Sequence, residues 1–191
     1  NTALTAYQEI LTDPSYSRQI VTLTYPHIGN TGTTPEDMES ALAYASGLII
    51  RDLPLRACNW RMTETLDEFL RRGKIVAIAG IDTRKLTRVL RDALREKGAQ
   101  AGCIMTGDKA EAAVAVRAAQ SFPGLKGMDL AKVVSVRSSY QWNEGSLFDK
   151  REGPTIRAHQ RLHVVAFDYG INRNILRLLA EGAIDLAILA L

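Results

Sequence analysis

Two cysteines are the side chains of this chain best suited to act as nucleophiles, Cys58 in Ala-Cys-Asn-Trp and Cys103 in Ala-Gly-Cys-Ile. A catalytic thiol needs a neighbouring base or another cause of a lowered pKa. Neither cysteine sits on a predicted turn between a strand and a helix with glycines on both sides. We therefore expect both thiols to be buried and unreactive, and we assign no catalytic residue to this chain.

The spacing of the histidines does not support metal binding. His27 follows a predicted strand, while His159 and His163 flank a polar connector. Metal sites commonly place their ligands at short spacings such as His-Glu-x-x-His or Cys-x-x-Cys, and the sequence contains neither pattern. The sequence therefore predicts no metal site.

The segment Thr12-Asp-Pro-Ser-Tyr offers a candidate ligand contact. Asp-Pro-Ser is typical of a turn, and a turn is the default interpretation. Pro14 also fixes the backbone and would present the Ser15 hydroxyl at a defined angle, which suits a hydrogen bond to a polar ligand. The residues alone leave both interpretations open.

Four arginines recur along a predicted helix: Arg84, Arg88, Arg91 and Arg95. Acidic residues interleave with them, and no aromatic residue accompanies them for base stacking. We favour a solvent-exposed face, with a docking face for a partner protein as the second choice, and we do not expect nucleic-acid binding. Phosphate-loop patterns are also absent, and the glycine pair Gly29 and Gly32 is typical of a turn.

Composition excludes several classes of protein. The 191 residues include 24 Lys and Arg against 21 Asp and Glu, and a net charge of +3 does not imply a nucleic-acid partner. No apolar run approaches the roughly 20 residues that span a bilayer. Two cysteines are too few for a disulfide framework and favour a reducing compartment, so we expect a cytoplasmic location. Both ends of the sequence have the character of mid-domain sequence, so we expect a fragment.

Hydrophobic patterning predicts three strands in the first half of the chain. Residues 19–25 alternate branched and polar side chains, and residues 47–51 and 74–79 form short apolar runs. A helix is predicted from Pro35 through Ala45, because proline is favoured at the first helical position and acidic residues follow it.

Further helices are predicted around and after the third strand. Thr65 and Glu68 form a capping-box pattern for a helix that Gly73 ends. Asp82 or Thr83 caps the next helix, and an Ala-rich helix follows near residues 110–120. The helix after residue 82 carries apolar side chains on one face, namely Leu86, Val89, Leu90 and Leu94.

A new unit is predicted after a polar connector at residues 135–159. Residues 162–167 read as a strand, Asp168-Tyr-Gly170 as a tight turn, and residues 172–181 as an amphipathic helix followed by a second strand. Strand, helix, strand is the opening of a parallel α/β sheet. One such unit cannot bury both its faces, so the remainder of a domain is implied.

Six blocks of sequence occur in the order in which they occur in one known family: residues 1–32, GLIIRDLP at 47–54, VAIAGIDTRKLTR at 76–88, REKGAQAGCI at 95–104, FPGLKGMDLAK at 122–132 and VVAFDYGINRNILRLL at 164–179. Together they resemble the small, glutamine-hydrolysing subunit of carbamoyl-phosphate synthetase. The resemblance covers nearly the whole chain, and the set of blocks is far more specific than any one of them.

The resemblance implies an α/β fold in two parts. Residues 1–136 correspond to the family's layered β/β/α N-terminal domain without its opening strands, and residues 137–161 to a linker. Residues 162–191 correspond to the first strand-helix-strand of a class I glutamine amidotransferase domain, a doubly wound parallel sheet that is truncated here.

The resemblance also implies an activity. In the family, a Cys nucleophile activated by His and Glu attacks the side-chain amide of L-glutamine and releases ammonia. The ammonia passes to the large subunit, which uses ATP and magnesium to make carbamoyl phosphate for arginine and pyrimidine synthesis. The chain would thus belong to a ligase, would need no cofactor of its own, and would have the large subunit as its partner.

Only one ligand-contacting position carries over to this sequence. In the family, the serine that matches Ser15 reaches across the domain interface to the bound glutamine. The segments that carry the family's Cys, His and Glu do not occur here, and Cys103 matches a position in the N-terminal domain. Ala6 stands where the family usually has glycine, which would be strained if that position required a positive φ.

The missing catalytic set leaves a second hypothesis. The chain could be a catalytically inactive docking module for the large subunit, because the Cys/His/Glu triad is absent from these residues. Ammonia release from glutamine separates this hypothesis from the first.

Overall fold

The computed structural model describes residues 1–108, 110–145, 162–182 and 184–190. Within these residues the chain has the predicted α/β character. The strands are β1 (Ile20–Thr22), β2 (Gly47–Ile49), β3 (Val76–Ile78), β4 (Tyr140–Trp142), β5 (Leu162–Phe167) and β6 (Ile184–Leu189). The helices are α1 (Tyr7–Thr12), α2 (Leu66–Gly73), α3 (Thr83–Lys97), α4 (Ala112–Ser121), α5 (Leu130–Val134) and α6 (Arg173–Glu181).

The three predicted strands of the first half form one parallel sheet in the order β1-β2-β3. Their register pairs Ile20 with Gly47 and Gly47 with Val76. Parallel pairing requires crossover connections, and the long segments between these strands supply them. The sheet is shorter than the predicted strands, and the described residues include only one of the two β layers that the resemblance implies.

One hydrophobic core joins this sheet to α1 and α2. Tyr7 and Leu11 of α1, Leu48 of β2 and Phe69 of α2 are each at most 1% exposed, and they belong to a single cluster of buried residues. Burial of such side chains contributes roughly 1.5–3 kcal/mol each before the entropy cost of folding. The core therefore holds α1 firmly on the sheet, which matters because the Ser15 segment follows α1 directly.

The capping box predicted for α2 is confirmed. The Thr65 hydroxyl accepts the backbone N–H of Glu68, and the Glu68 carboxylate accepts the backbone N–H of Thr65. The end of the helix differs slightly from the expectation, because Gly73 is its last residue and Lys74 takes the left-handed conformation with φ of 54°.

The predicted helix from Pro35 through Ala45 is wrong. Only a single 3-10 turn, Pro35–Asp37, forms, and Met38 is already extended. The backbone after this turn forms hydrogen bonds with α1 and not within a helix of its own. The N–H groups of Tyr44 and Ala45 both donate to the backbone carbonyl of Leu11. Tertiary hydrogen bonds have replaced the helical ones that the sequence pattern favoured.

Helix α3 forms as predicted, with the Asp82 side chain accepting the backbone N–H of Lys85 at its start. Its apolar face lies open. Val89, Leu90 and Leu94 are 56%, 37% and 56% exposed and Leu86 is half-buried, so the described residues cover this face only in part. The predicted helix is confirmed, whereas its apolar face does not enter the core of the described residues.

The predicted second unit is confirmed as a parallel strand-helix-strand. β5 and β6 pair in parallel from Leu162 with Ile184 to Phe167 with Leu189, and α6 packs against them through the fully buried Leu176. Phe167 is 55% exposed, in keeping with a single unit that cannot cover both its faces.

A strand also forms inside the predicted linker. β4 pairs antiparallel with β6, which gives the second sheet the order β4-β6-β5, and Trp142 is buried there. This short edge strand was not predicted because the segment is polar in composition. The division at residues 137–161 stays a prediction, and residues 146–161, with His159, lie outside the described part of the chain.

Helices long and apolar enough to cross a bilayer do not occur among the described residues.

Candidate functional site

Ser15 is the exposed residue of a hydrogen-bonded turn. Asp13 caps the 3-10 turn Pro14–Tyr16, and its carboxylate oxygen Oδ1 accepts the backbone N–H of Ser15 at 2.8 Å. The predicted turn is therefore confirmed. The Ser15 side chain is exposed, and its hydroxyl makes no hydrogen bond to another described residue. It remains available to a ligand, and contact with glutamine stays a prediction.

A second turn follows β5 and is held by Asp168. This residue is 3% exposed, and its Oδ1 accepts the backbone N–H groups of Gly170 at 2.7 Å and Ile171 at 2.9 Å. The Tyr140 hydroxyl donates to its other carboxylate oxygen at 3.3 Å. The turn lies at the carboxyl end of a parallel strand, where open α/β sheets commonly bind ligands.

The two turns touch each other. Gly170 has φ of +96°, and a β-carbon placed on it would lie 2.9 Å from the Pro14 β-carbon and 2.7 Å from Val134 Cγ2. Only glycine permits so close an approach. Because Ser15 follows Pro14, its turn adjoins the carboxyl end of β5. The structure thus brings together the one site residue that the resemblance supplied and the start of the second unit.

Glu39 joins the same two parts of the chain. Its backbone carbonyl accepts the N–H of Arg173 at 2.9 Å, and its carboxylate oxygen Oε2 accepts the N–H of Asn174 at 2.9 Å. Both donors lie at the start of α6, where backbone N–H groups lack partners within the helix and the helix dipole favours negative charge. Glu39 is only 8% exposed, so it forms part of the buried contact.

A polar cavity of about 360 Å³ lies beside this contact, and its lining includes Gln8, Glu9, Arg61 and Arg177. Burial raises the pKa of Glu9 to about 7, and the neighbouring carboxylates of Asp37 and Glu39 raise it further, while Arg61 opposes them. Oxygen Oε2 of Glu9 is buried without a hydrogen-bond partner among the described residues. Glu9 therefore changes charge near neutral pH.

The other candidates do not assemble into a site. Cys58 is exposed and Cys103 is half-buried. The expectation that both are buried is therefore wrong for Cys58, which lies in an irregular surface segment, and is met only in part for Cys103. His27 packs edge-on against Tyr25, and His163 meets Asp185 at 3.0 Å on an exposed surface. No cluster of three or more potential metal ligands occurs in the described ranges.

Ala6 has a negative φ of −76°. This position therefore does not require the positive φ that would have strained alanine.

Sequence reasoning predicted the turn Asp168-Tyr-Gly170 but missed the role of the Asp168 carboxylate in it, and it missed Glu39 altogether. Asp168 carried a usable signal, since a strand, an aspartate and a glycine in succession are typical of a turn that the aspartate side chain holds. Glu39 carried none, because its segment was predicted to be helical and its partners lie far along the chain.

Comparison of the chain with known proteins shows the family to which it belongs. Residues 1–104 match the family model described as "Carbamoyl-phosphate synthase small chain, CPSase domain". The chain belongs to this family. The resemblance found in the sequence blocks is thereby confirmed.

Three curated relatives carry the name "Carbamoyl phosphate synthase small chain". The chain is 62% identical to that of Pseudomonas putida over 94% of its own length and 47% of the relative's. It is 58% identical to that of Yersinia pseudotuberculosis and 57% identical to that of Salmonella typhimurium, over 98% of its length and 48% and 49% of theirs. The chain spans about half the length of these relatives.

The contact between the two turns predicts the effect of enlarging Gly170. We expect Gly170→Ala to destabilise the protein by about 2–4 kcal/mol, because the new methyl group would collide with Pro14 and Val134 and because alanine disfavours the positive φ at this position. Gly124→Ala is the matched control, since Gly124 has φ of +84° and open space around it. Urea unfolding measures both variants, and equal losses would contradict the contact.

The raised pKa of Glu9 predicts a pH dependence of stability. The folded state favours the neutral carboxyl, so the contribution of Glu9 is complete below about pH 4.5 and is lost as the pH rises to about 7. Glu9→Gln does not titrate and should gain about 1–2 kcal/mol relative to the wild type across this window, after discounting for partial exposure. Urea unfolding at several pH values measures it, with the exposed Glu111→Gln as control. A difference that does not vary with pH would refute the assignment.

Proposed function

We propose that this chain is part of a glutamine-hydrolysing small subunit of carbamoyl-phosphate synthase, and that its Ser15 turn forms one wall of the glutamine site. The contact between Pro14 and Gly170 carries the proposal. It sets an exposed hydroxyl with no described partner beside the carboxyl end of β5, at the start of the unit that resembles a glutamine amidotransferase.

Ser15 has a binding role in this proposal. Its hydroxyl can both donate and accept, which suits hydrogen bonding to a polar amino acid. None of its described hydrogen bonds involves a group that could take its proton, so it is not a nucleophile. The covalent step belongs to the family's cysteine. The family's histidine takes the thiol proton, the thiolate attacks the amide carbon, and the same proton passes to the nitrogen as ammonia leaves. Water then hydrolyses the resulting thioester to glutamate and free thiol.

The proposed partner is the large subunit of the synthase. Ammonia released from glutamine would pass to it, and ATP and magnesium would be consumed there, so this chain would hold no cofactor. The names of the relatives support a larger partner chain, since they are called small chains. A cytoplasmic location follows as a proposal from the low cysteine content.

The second candidate is the docking-module hypothesis, and one observation supports the docking on which it rests. The apolar face of α3, formed by Val89, Leu90 and Leu94, is exposed among arginines. A contiguous exposed apolar face is characteristic of a surface that another chain covers. The two hypotheses share this docking role and differ only in whether glutamine is hydrolysed.

Ammonia release separates the two candidates. The full-length protein is mixed with the large subunit, gel filtration measures co-elution, and an ammonia assay measures glutamine hydrolysis. The first proposal predicts co-elution with hydrolysis. Co-elution without hydrolysis would leave only the docking module, and failure to co-elute would contradict both.

Substitution of Ser15 tests the proposed glutamine contact. Ser15→Ala should raise the KM for glutamine roughly threefold to tenfold, the effect of one lost hydrogen bond. Carbamoyl phosphate synthesis from free ammonia should not change, because that reaction bypasses the glutamine site. Ser121→Ala, which removes an exposed hydroxyl from the end of α4, is the matched control. An unchanged KM for glutamine in Ser15→Ala would contradict the proposal.

A further inference from the structure

Glu39 lies in a bend of the chain between two hydrogen-bonded contacts. It follows the 3-10 turn Pro35–Asp37, is nearly buried, and uses its backbone N–H, its backbone carbonyl and its carboxylate. Burial of a carboxylate costs free energy unless the carboxylate accepts hydrogen bonds. The hydrogen bonds of Glu39 therefore explain why this residue can be buried in the contact.

The first contact fixes the base of the Ser15 turn. The backbone N–H of Glu39 donates to Thr12 Oγ1 at 2.9 Å, and the Ser40 hydroxyl donates to the Thr12 carbonyl at 2.6 Å. Thr12 is fully buried and immediately precedes Asp13, which caps the turn that carries Ser15. A displacement of Glu39 therefore shifts Thr12, the residue that directly precedes the Ser15 turn.

The second contact fixes the start of α6. Glu39 accepts the backbone N–H groups of Arg173 and Asn174, which lie three and four residues after Gly170. The guanidinium of Arg177 approaches the Met38 carbonyl at 3.5 Å and adds a favourable charge beside the Glu39 carboxylate. Glu39 therefore connects the residues that flank one turn with the residues that flank the other.

We propose that Glu39 is a positioning residue for glutamine: by bonding Thr12 on one side and the start of α6 on the other, it sets the placement of Ser15 relative to the turn after β5. This inference rests on the proposed function, in which Ser15 contacts glutamine. Glu39 itself does not touch the substrate. Misplacement of a binding group by about 1 Å is enough to weaken substrate use considerably.

A positioning role and a purely structural role predict different results. If Glu39 acts through Ser15, its removal matters only while the Ser15 hydroxyl is present. The effects of Glu39→Ala and Ser15→Ala on KM should then fail to add, because coupled residues are non-additive in a double-mutant cycle. A residue that only stabilises the fold would give independent effects on KM.

The test uses the full-length small chain in complex with the large subunit. Glu39→Ala should raise the KM for glutamine roughly threefold to tenfold with little change in kcat. Glu39→Gln keeps an oxygen that accepts the Asn174 N–H, so it should restore KM to within about twofold of the wild type. Glu111→Ala, which removes an exposed glutamate before α4, should leave KM unchanged.

The double variant Ser15→Ala/Glu39→Ala should have a KM close to that of Ser15→Ala alone. Thr12→Val tests the hydrogen bond between Thr12 and Glu39 by changing Thr12 instead of Glu39. It removes the oxygen that accepts the Glu39 N–H and nearly preserves the shape of the side chain, so it should also raise the KM for glutamine. This variant decides the matter if Glu39→Ala fails to fold.

Several outcomes would overturn the inference, and they can be told apart. A raised KM in Ser15→Ala with an unchanged KM in both Glu39→Ala and Thr12→Val refutes the role of Glu39 and leaves the proposed function standing. If the effects of the two substitutions on KM multiply in the double variant, Glu39 has only a structural role. An unchanged KM in Ser15→Ala refutes the proposed function together with the inference.

Discussion

The approach of Pro14 to Gly170 is the constraint on which the rest of this structure depends. It brings a turn from the first half of the chain against a turn from the last part, at a distance that only a glycine allows. The buried core beneath α1 fixes one side, and the Asp168 carboxylate fixes the other through two backbone hydrogen bonds. Rigid supports on both sides are what a preformed binding site requires.

Local signals predicted much of this arrangement. The capping box at Thr65, the strand-turn-helix-strand of the last segment and the Asp-Pro-Ser turn depend on interactions between residues close in sequence, so their patterns are readable directly. The apolar face of α3 was also readable, but its burial was not, since burial depends on what packs against it.

The features that sequence could not predict depend on distant partners. The segment after Pro35 has a good helical start, yet its backbone bonds to α1 and its Glu39 bonds to α6. The β4 strand lies in polar sequence and forms because β6 offers it an edge. In both segments tertiary hydrogen bonds outweigh the local conformational preference of the sequence. The first of these segments contains Glu39, the proposed positioning residue.

A crystal structure of the proposed small subunit with bound glutamine, with the proposed cysteine nucleophile replaced to prevent turnover, tests the central claim most directly. The account predicts the glutamine at the carboxyl end of β5 with Ser15 Oγ within about 3 Å of one of its polar atoms. Glutamine bound there with Ser15 turned away from it and out of hydrogen-bonding reach would contradict the account.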